Sequence, residues 1–255
     1  MDSSVRSSKD RLDRLIVAQG LAVSREVAVR TILAGGVTVD GVVVDKPAKL
    51  IPLDARIEIK KPAPYASRSG EKLAAALDAF SIDPTGLIGL DVGCSTGGFT
   101  DCLLQRGAKR IYAIDVGYGQ IDWKLRQDSR VVLLERTNIR YVDRAMVPEP
   151  IDLAVIDVSF ISLTLVLPSI MPLLREGATV VALVKPQFEV GKGQVGAGGI
   201  VRDDTQREEV TAKVIQCGGH LGLQLKGILD SPVKGRKGNR EILVSFTHQG
   251  IIRRS

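Results

Sequence analysis

Two rhythms of apolar and polar positions divide this chain. Up to residue 60 the rhythm is short and mixed. Leu12, Leu15 and Ile16 share one helical stripe that Gly20 ends. Ser24 suits the cap of a second helix running to Leu33, where Gly35-Gly36 stops it. Residues 37–44, Val-Thr-Val-Asp-Gly-Val-Val-Val, read as a hairpin with Asp40-Gly41 as a type I′ turn. Ile57-Glu-Ile59 adds a further short strand. The pattern predicts a small α+β domain over 1–60 and, at Lys60-Lys-Pro-Ala-Pro64, the start of a stiff linker assigned to 61–68.

From residue 69 to 255 the rhythm changes. Apolar runs at 87–92, 110–116, 131–135, 152–156 and 179–184 alternate with helical segments. They are apolar throughout, which predicts a parallel sheet covered by helices on both faces. After a helix near 204–218 come two strands, 223–229 and 241–246, joined by a turn region at 232–239. With no helix between them they should form an antiparallel hairpin ending the sheet. By fold analogy, an α/β Rossmann-like sheet finished this way fits a methyltransferase better than a dinucleotide dehydrogenase.

Composition narrows the setting. A hydrophobic share of 44% supports a real core. The net charge of +6 permits a nucleic-acid partner without establishing one. Cys94, Cys102 and Cys217 lie far apart, which argues against a disulfide framework or structural zinc and suits a reducing compartment. The N-terminus shows no signal-peptide core, and the longest apolar runs, 153–156 and 180–184, are strand-length. A cytoplasmic protein with no membrane and no metal is expected.

The strongest local motif is Leu90-Asp-Val-Gly-Cys-Ser-Thr-Gly-Gly-Phe-Thr100, directly after the first long strand. Glycines there let backbone approach a ligand, although a plain strand-to-helix turn also uses glycine. In Gly93-Cys-Ser95-Thr-Gly97-Gly98, Ser95 stands where a dinucleotide fold needs its second glycine. A ligand without a pyrophosphate tolerates Ser95. Asp91 would repel phosphate but suits the cationic amino and sulfonium groups of S-adenosyl-L-methionine. Asp115, ending the second strand, can accept both ribose hydroxyls, and Asn138, after the third, can face the adenine. In order on successive strands, these residues favour S-adenosyl-L-methionine as cofactor.

The reaction is read from the fourth strand. Ile156-Asp-Val-Ser-Phe160 lacks the Asn/Asp-Pro-Pro-aromatic run of amino-group methylases, and no Pro-Cys nucleophile exists. A ribose hydroxyl is a poor nucleophile and needs a group that takes or shares its proton. Lys72, Asp157, Lys185 and Glu241 are the candidates, with Asp157 and Lys185 ending strands four and five and so facing one crevice. Glu241 joins them if its strand runs antiparallel. Asp157 is also a candidate cofactor contact.

That quartet is similar to the K-D-K-E tetrad of ribose 2′-O-methyltransferases of the FtsJ/RrmJ type. Residues 1–60, with Arg-Leu-Asp-Arg-Leu and Val-Ser-Arg-Glu, look like the ribosomal-protein-S4-like RNA-binding domain. Tyr65-Ala-Ser-Arg-Ser-Gly-Glu-Lys-Leu73, Val184-Lys-Pro-Gln-Phe-Glu189 and Lys237-Gly-Asn-Arg-Glu241 resemble TlyA proteins over essentially the whole chain. Two departures are Ala66 for Val and Ser69 for Gly; a positive φ at position 69 would strain Ser69. The resemblance implies methylation of cytidine 2′-hydroxyls in ribosomal RNA, 16S, 23S or both. It also brings a haemolysin label.

For RNA contact the candidates are Arg6, Arg11, Arg14, Arg25 and Arg30 in the small domain, Arg68 in the linker, and Lys234, Arg236, Lys237 and Arg240 beside Glu241. Aromatic residues are only 4% of the chain, so recognition by shape and backbone is expected over extensive base stacking. Residues 191–199, Gly-Lys-Gly-Gln-Val-Gly-Ala-Gly-Gly, are expected to form a mobile loop that orders on RNA. The alternatives are a non-catalytic ribosome assembly factor and a cytolysin. An intact tetrad disfavours the first, and the lack of a spanning or long basic amphipathic segment disfavours the second.

Overall fold

A computed structural model describes residues 8–60, 63–191, 195–235 and 238–250. The chain separates into two units, residues 1–63 and 64–255.

The first unit runs β1 (Lys9–Arg11), α1 (Leu12–Ala18), α2 (Arg25–Leu33), β2 (Val37–Val39), β3 (Val42–Val43), β4 (Leu50–Pro52) and β5 (Ile57–Ile59). Strand β2 lies between β3 and β5, antiparallel to both. The β2–β3 turn passes through Asp40 at φ 50° and Gly41 at φ 80°, the two positive values a type I′ turn needs. Ser24 Oγ accepts from the Val27 N–H at 3.3 Å and caps α2. Leu12, Ile16, Ala28, Ile32, Val37 and Ile51 form the core. The β1–β4 ladder was not foreseen, because Lys9-Asp-Arg11 carries no apolar alternation and pairs through backbone alone.

The second unit runs α3 (Ser69–Ala79), β6 (Ile88–Val92), α4 (Gly98–Gln105), β7 (Arg110–Ile114), α5 (Trp123–Gln127), β8 (Val131–Leu134), β9 (Ile151–Ile156), α6 (Leu163–Ile170), β10 (Leu174–Val184), α7 (Pro186–Glu189), α8 (Asp204–His220), β11 (Leu223–Asp230) and β12 (Ile242–His248). Its seven-stranded sheet has the order β11-β12-β10-β9-β6-β7-β8. The pairs from β10 to β8 are parallel, while β12 is antiparallel to both neighbours. The expected hairpin is present, with its second strand inserted beside β10 and its first strand at the edge.

Both faces of the sheet are buried, which explains the unbroken apolar runs. Leu90, Ile114, Ile156, Val180 and Val244 pack with α6 and α8 on one face. Ile111, Ala113, Val155, Val181 and Leu243 pack with α3 and α4 on the other. Position 69 does not need a positive φ: Ser69 sits in the first turn of α3 and is not among the residues with positive φ, so it carries no backbone strain.

The topology decides where polar residues meet. Val184 at the end of β10 is in register with Ile242 at the start of β12. Asp157 after β9, Lys185 after β10 and Glu241 before β12 therefore lie along one edge of the sheet.

Candidate active site

That edge opens into a cavity of about 700 Å³. Lys72, Asp157, Lys185 and Glu241 all line it. They form two ion pairs. Lys72 Nζ is 2.5 Å from Glu241 Oε2, with side chains 10% and 3% exposed. Lys185 Nζ is 2.6 Å from Asp157 Oδ1, without the angle of a hydrogen bond, and donates to Ser159 Oγ at 3.0 Å. Burying such pairs is costly against an apolar alternative, so four of these groups converging on a cavity need a reason beyond packing. Gly235 bends tightly over one pair: a Cβ there would meet Glu241 Oε1 at 2.1 Å.

Of the residues expected to hold the cofactor, Gly93, Ser95, Asp115, Asn138 and Asp157 line the cavity. Asp115 braces the loop opposite: its Oδ2 accepts from the Ser95 N–H at 2.8 Å and its Oδ1 from the Gly117 N–H at 2.7 Å. A carboxylate so engaged still has lone pairs for further donors. Asn138 Oδ1 accepts from the Arg140 N–H at 3.0 Å and caps a short turn, which leaves the Nδ2 donors for a ligand. Gly93 has φ +85°, and a Cβ there would meet Asp157 O at 2.7 Å. The glycine thus serves both a left-handed backbone and the close approach of the chain leaving β9.

Asp91, Gly97 and Gly98 are placed differently from the expectation of direct contact; none is among the cavity-lining residues. Gly97 faces Leu125 Cδ1, which a Cβ would meet at 2.3 Å, and Gly98 faces Ser69 Oγ at 2.2 Å. These glycines let α4 pack closely against its own chain. Asp91 has no exposed surface. Its Oδ2 accepts from Thr100 Oγ1 at 2.7 Å, while Oδ1 has no partner among the described residues. Burial, helped by the charges of Asp157 and Asp115, pushes its carboxyl up to about 7.

Three contributors were missed by the sequence reading. Gln120 lines the cavity and its Oε1 accepts from Ser95 Oγ at 3.2 Å, bridging the loops after β6 and β7. Ser159 supports Lys185. Asn239 is 2% exposed and ties two loops together: Oδ1 accepts from the Val201 N–H at 3.0 Å and Nδ2 donates to Gly199 O at 2.9 Å. No spacing rule would single these out; their signal is only a polar residue beside a motif. Of the glycine-rich stretch, residues 192–194 lie outside the described residues, and its far end is the segment Asn239 anchors.

The basic candidates scatter. Arg68 and Lys234 are exposed and line the cavity. Arg240 is 4.0 Å from Asp204 Oδ2 with both side chains largely exposed. Arg14 and Arg30 are exposed on the first unit. Arg11 and Arg25 are engaged within it: Arg11 donates twice to Asp13 at 3.0 Å and Arg25 once at 2.8 Å. Arg6, Arg236 and Lys237 lie outside the described residues.

Comparison with known proteins matches this arrangement to established families. The FtsJ-like methyltransferase profile matches residues 65–248, and the S4 domain profile matches residues 10–57. YqxC of Bacillus subtilis, provisionally named an rRNA methyltransferase, is 48% identical over 96% of this chain and 88% of its own length. The 16S/23S rRNA (cytidine-2′-O)-methyltransferase TlyA of Mycobacterium tuberculosis is 46% identical over 91% of this chain and 87% of its own. A solved Streptococcus thermophilus structure, provisionally called a hemolysin, is 43% identical, with TM-score 0.73, covering 96% of this chain and 90% of that one.

Proposed function

Because the chain belongs to the FtsJ-like methyltransferase family, we propose that it transfers a methyl group from S-adenosyl-L-methionine to the 2′-hydroxyl of a cytidine in ribosomal RNA. The observation that carries this reading is the pair of ion pairs, Lys72–Glu241 and Lys185–Asp157, on one cavity wall. The rRNA methyltransferase names of its relatives and the S4 domain support the choice of substrate.

The residues present suit S-adenosyl-L-methionine. The cavity of about 700 Å³ is within the usual range for a cofactor site, roughly 300–1,000 Å³. Carboxylates at Asp115 and Asp157 line it, which favours a cationic ligand with hydroxyls over a phosphate-bearing one. Asp115 would take the ribose hydroxyls, and Asn138 the adenine edge. Asp91 acts from behind the wall, through Thr100 and the loop they hold. When bound, the cofactor supplies an electrophilic methyl group on a sulfonium.

Lys185 presents its ammonium to the 2′-oxygen as negative charge develops there, and Asp157 with Ser159 fixes the direction of that ammonium. The hydroxyl proton is released to solvent as the oxygen–methyl bond forms. Lys72 and Glu241, the second ion pair on the cavity, orient the ribose. Arg68 and Lys234, exposed at the same cavity, meet the flanking phosphates. Membrane lysis, the alternative attached to a relative's name, has no observation in its favour. Among the described residues, no helix is long and apolar enough to cross a membrane.

The test is incubation with tritiated S-adenosyl-L-methionine and bacterial ribosomal subunits. Label that makes an RNA linkage resist alkaline cleavage is the expected result. Label without that resistance means base methylation and removes the mechanism above.

A further inference from the structure

The chain has one Trp, four Tyr and five Phe, and the fold does not bury them evenly. Tyr112 on β7 is 3% exposed, whereas three rings on the loops after β7 and β8 stand in solvent. Tyr118 is 65% exposed, Trp123 70% and Tyr141 72%. Residues two or three positions away in the chain, Val116, Gln120, Asn138 and Ile139, line the cavity, so the segments that carry the rings also wall it. Trp123 is also held in place. The Asp122 N–H donates to Thr96 O at 3.1 Å, and the Asp122 side chain caps α5, whose first residue is Trp123.

Charge accompanies the rings. The guanidinium of Arg136 lies 4.3 Å from the centre of the Tyr118 ring, and that of Arg140 lies 5.9 Å from Tyr141. Neither arginine forms a close ion pair among the described residues, although the charge of Arg136 helps hold the Glu135 carboxyl down. Exposed rings beside guanidiniums that lack a close ion pair form a surface for a stacking, anionic partner. Nucleic acid with free bases has that chemistry.

We propose that Tyr118, Trp123 and Tyr141, with Arg136 and Arg140, form a stacking platform for the unpaired nucleotides on either side of the target ribose. This rests on the methyltransferase reading and specifies the form of RNA it takes. A 2′-hydroxyl reaches Lys185 in the cavity only if its nucleotide leaves the stack of its neighbours. Those neighbours then lack partners on one face, and the rings on the segments that wall the cavity replace them. Every base has such a face, so the platform selects strandedness and not sequence. The low aromatic content had pointed away from stacking; what matters is where the few rings are placed.

Trp123 is the single tryptophan, so its emission reports the platform directly. The full chain would be titrated with a short oligouridylate and with the duplex that strand forms with oligoadenylate. Binding would be followed separately by anisotropy of an end-labelled strand. The single strand should quench Trp123 emission as it binds, and the duplex should not. Trp123→Ala and Tyr118→Ala should each weaken single-strand binding about tenfold, the loss of one base stack. Failure of the single strand to bind, binding without quenching, equal quenching by the duplex, or wild-type affinity in both variants overturns the proposal. Quenching seen only with ribosomal proteins would make the surface a protein contact and overturn it too. Methyl transfer is read independently. A chain that methylates RNA with unchanged emission loses the platform alone, and one that quenches without methylating keeps it and loses the activity.

Discussion

Asp13 and Asp91 are both carboxylates with no exposed side-chain surface, one in each unit of the chain, and their surroundings differ in kind. Asp13 receives three hydrogen bonds from Arg11 and Arg25, which hold its carboxyl down at about 2. Asp91 has one bond from Thr100, an oxygen with no partner among the described residues, and the acidic Asp157 and Asp115 nearby, and it is raised to about 7. A saturated buried charge tightens a fold. An under-satisfied one behind a cavity marks where folding energy is withheld so that a site keeps its shape and field. The small unit therefore commits its arginines partly to its own integrity, and the large unit tolerates electrostatic discomfort at its site.

The largest effect that would break this comparison lies in the cavity. Asp157→Ala should lower turnover by at least about 10³-fold, because Lys185 loses the carboxylate that aims it. RNA affinity should stay near wild type. Single-turnover methylation with parallel binding measurements decides this, and full activity in the variant would end the proposed role of the Lys185–Asp157 pair. On the other side, Asp13→Ala removes three charge-assisted hydrogen bonds at once. The two arginines it frees are 36% and 57% exposed and water can solvate them, so we expect the small unit to lose about 2 kcal/mol. Amide exchange in residues 8–60 would show the loss. Trp123 emission, which reports only the large unit, should unfold at the same denaturant concentration as before.

Acid should move the two units in opposite directions. Asp13 sits below the ordinary carboxylate value of 3.8, so its stabilisation is present above that value and is lost as pH falls through about 2. Asp91 sits above 3.8, so its folded form holds a proton that the unfolded chain has released. Its contribution is greatest near pH 4 and declines as pH rises towards 7. Denaturant melts from pH 7 to pH 4 should show the large unit gaining stability, and Asp91→Asn should flatten that trend while keeping the Thr100 bond. A wild-type large unit with no pH dependence over this range would contradict the raised value.

These two aspartates also mark how far sequence reading went. The strands, the terminal antiparallel hairpin and the convergence of Asp157, Lys185 and Glu241 were legible because they follow from apolar runs and from which strand ends share an edge; the insertion of β12 beside β10 was not. The motif alone makes Asp91 look like a ligand contact, but whether a residue at a strand end faces the cavity or the far side of the loop depends on packing by Thr100. Gly97 and Gly98 point to the ligand for the same reason, while their neighbours are Leu125 and Ser69. Arg11 and Arg25 look like RNA contacts in sequence because Asp13 meets Arg25 only when α1 packs on α2, and no local pattern spans that separation.

The smallest effect concerns Arg25 and separates its two possible duties. Its Nε gives Asp13 one of three hydrogen bonds, and its side chain is 57% exposed, so solvent screens much of that interaction. Arg25→Ala should cost the small unit about 0.5 kcal/mol, well below Asp13→Ala, because Arg11 keeps both of its bonds. Stability alone cannot tell whether Arg25 also meets RNA. The salt dependence of RNA binding can: removing a side chain that neutralises one phosphate reduces the slope of log affinity against log salt by about one. Arg14 and Arg30, exposed on the same unit, serve as references, since neither holds Asp13. We expect Arg30→Ala to reduce the slope with no loss of stability, and Arg25→Ala to reduce stability with little change in slope. The reverse pattern would make Arg25 a phosphate ligand that merely rests against Asp13 in the free protein.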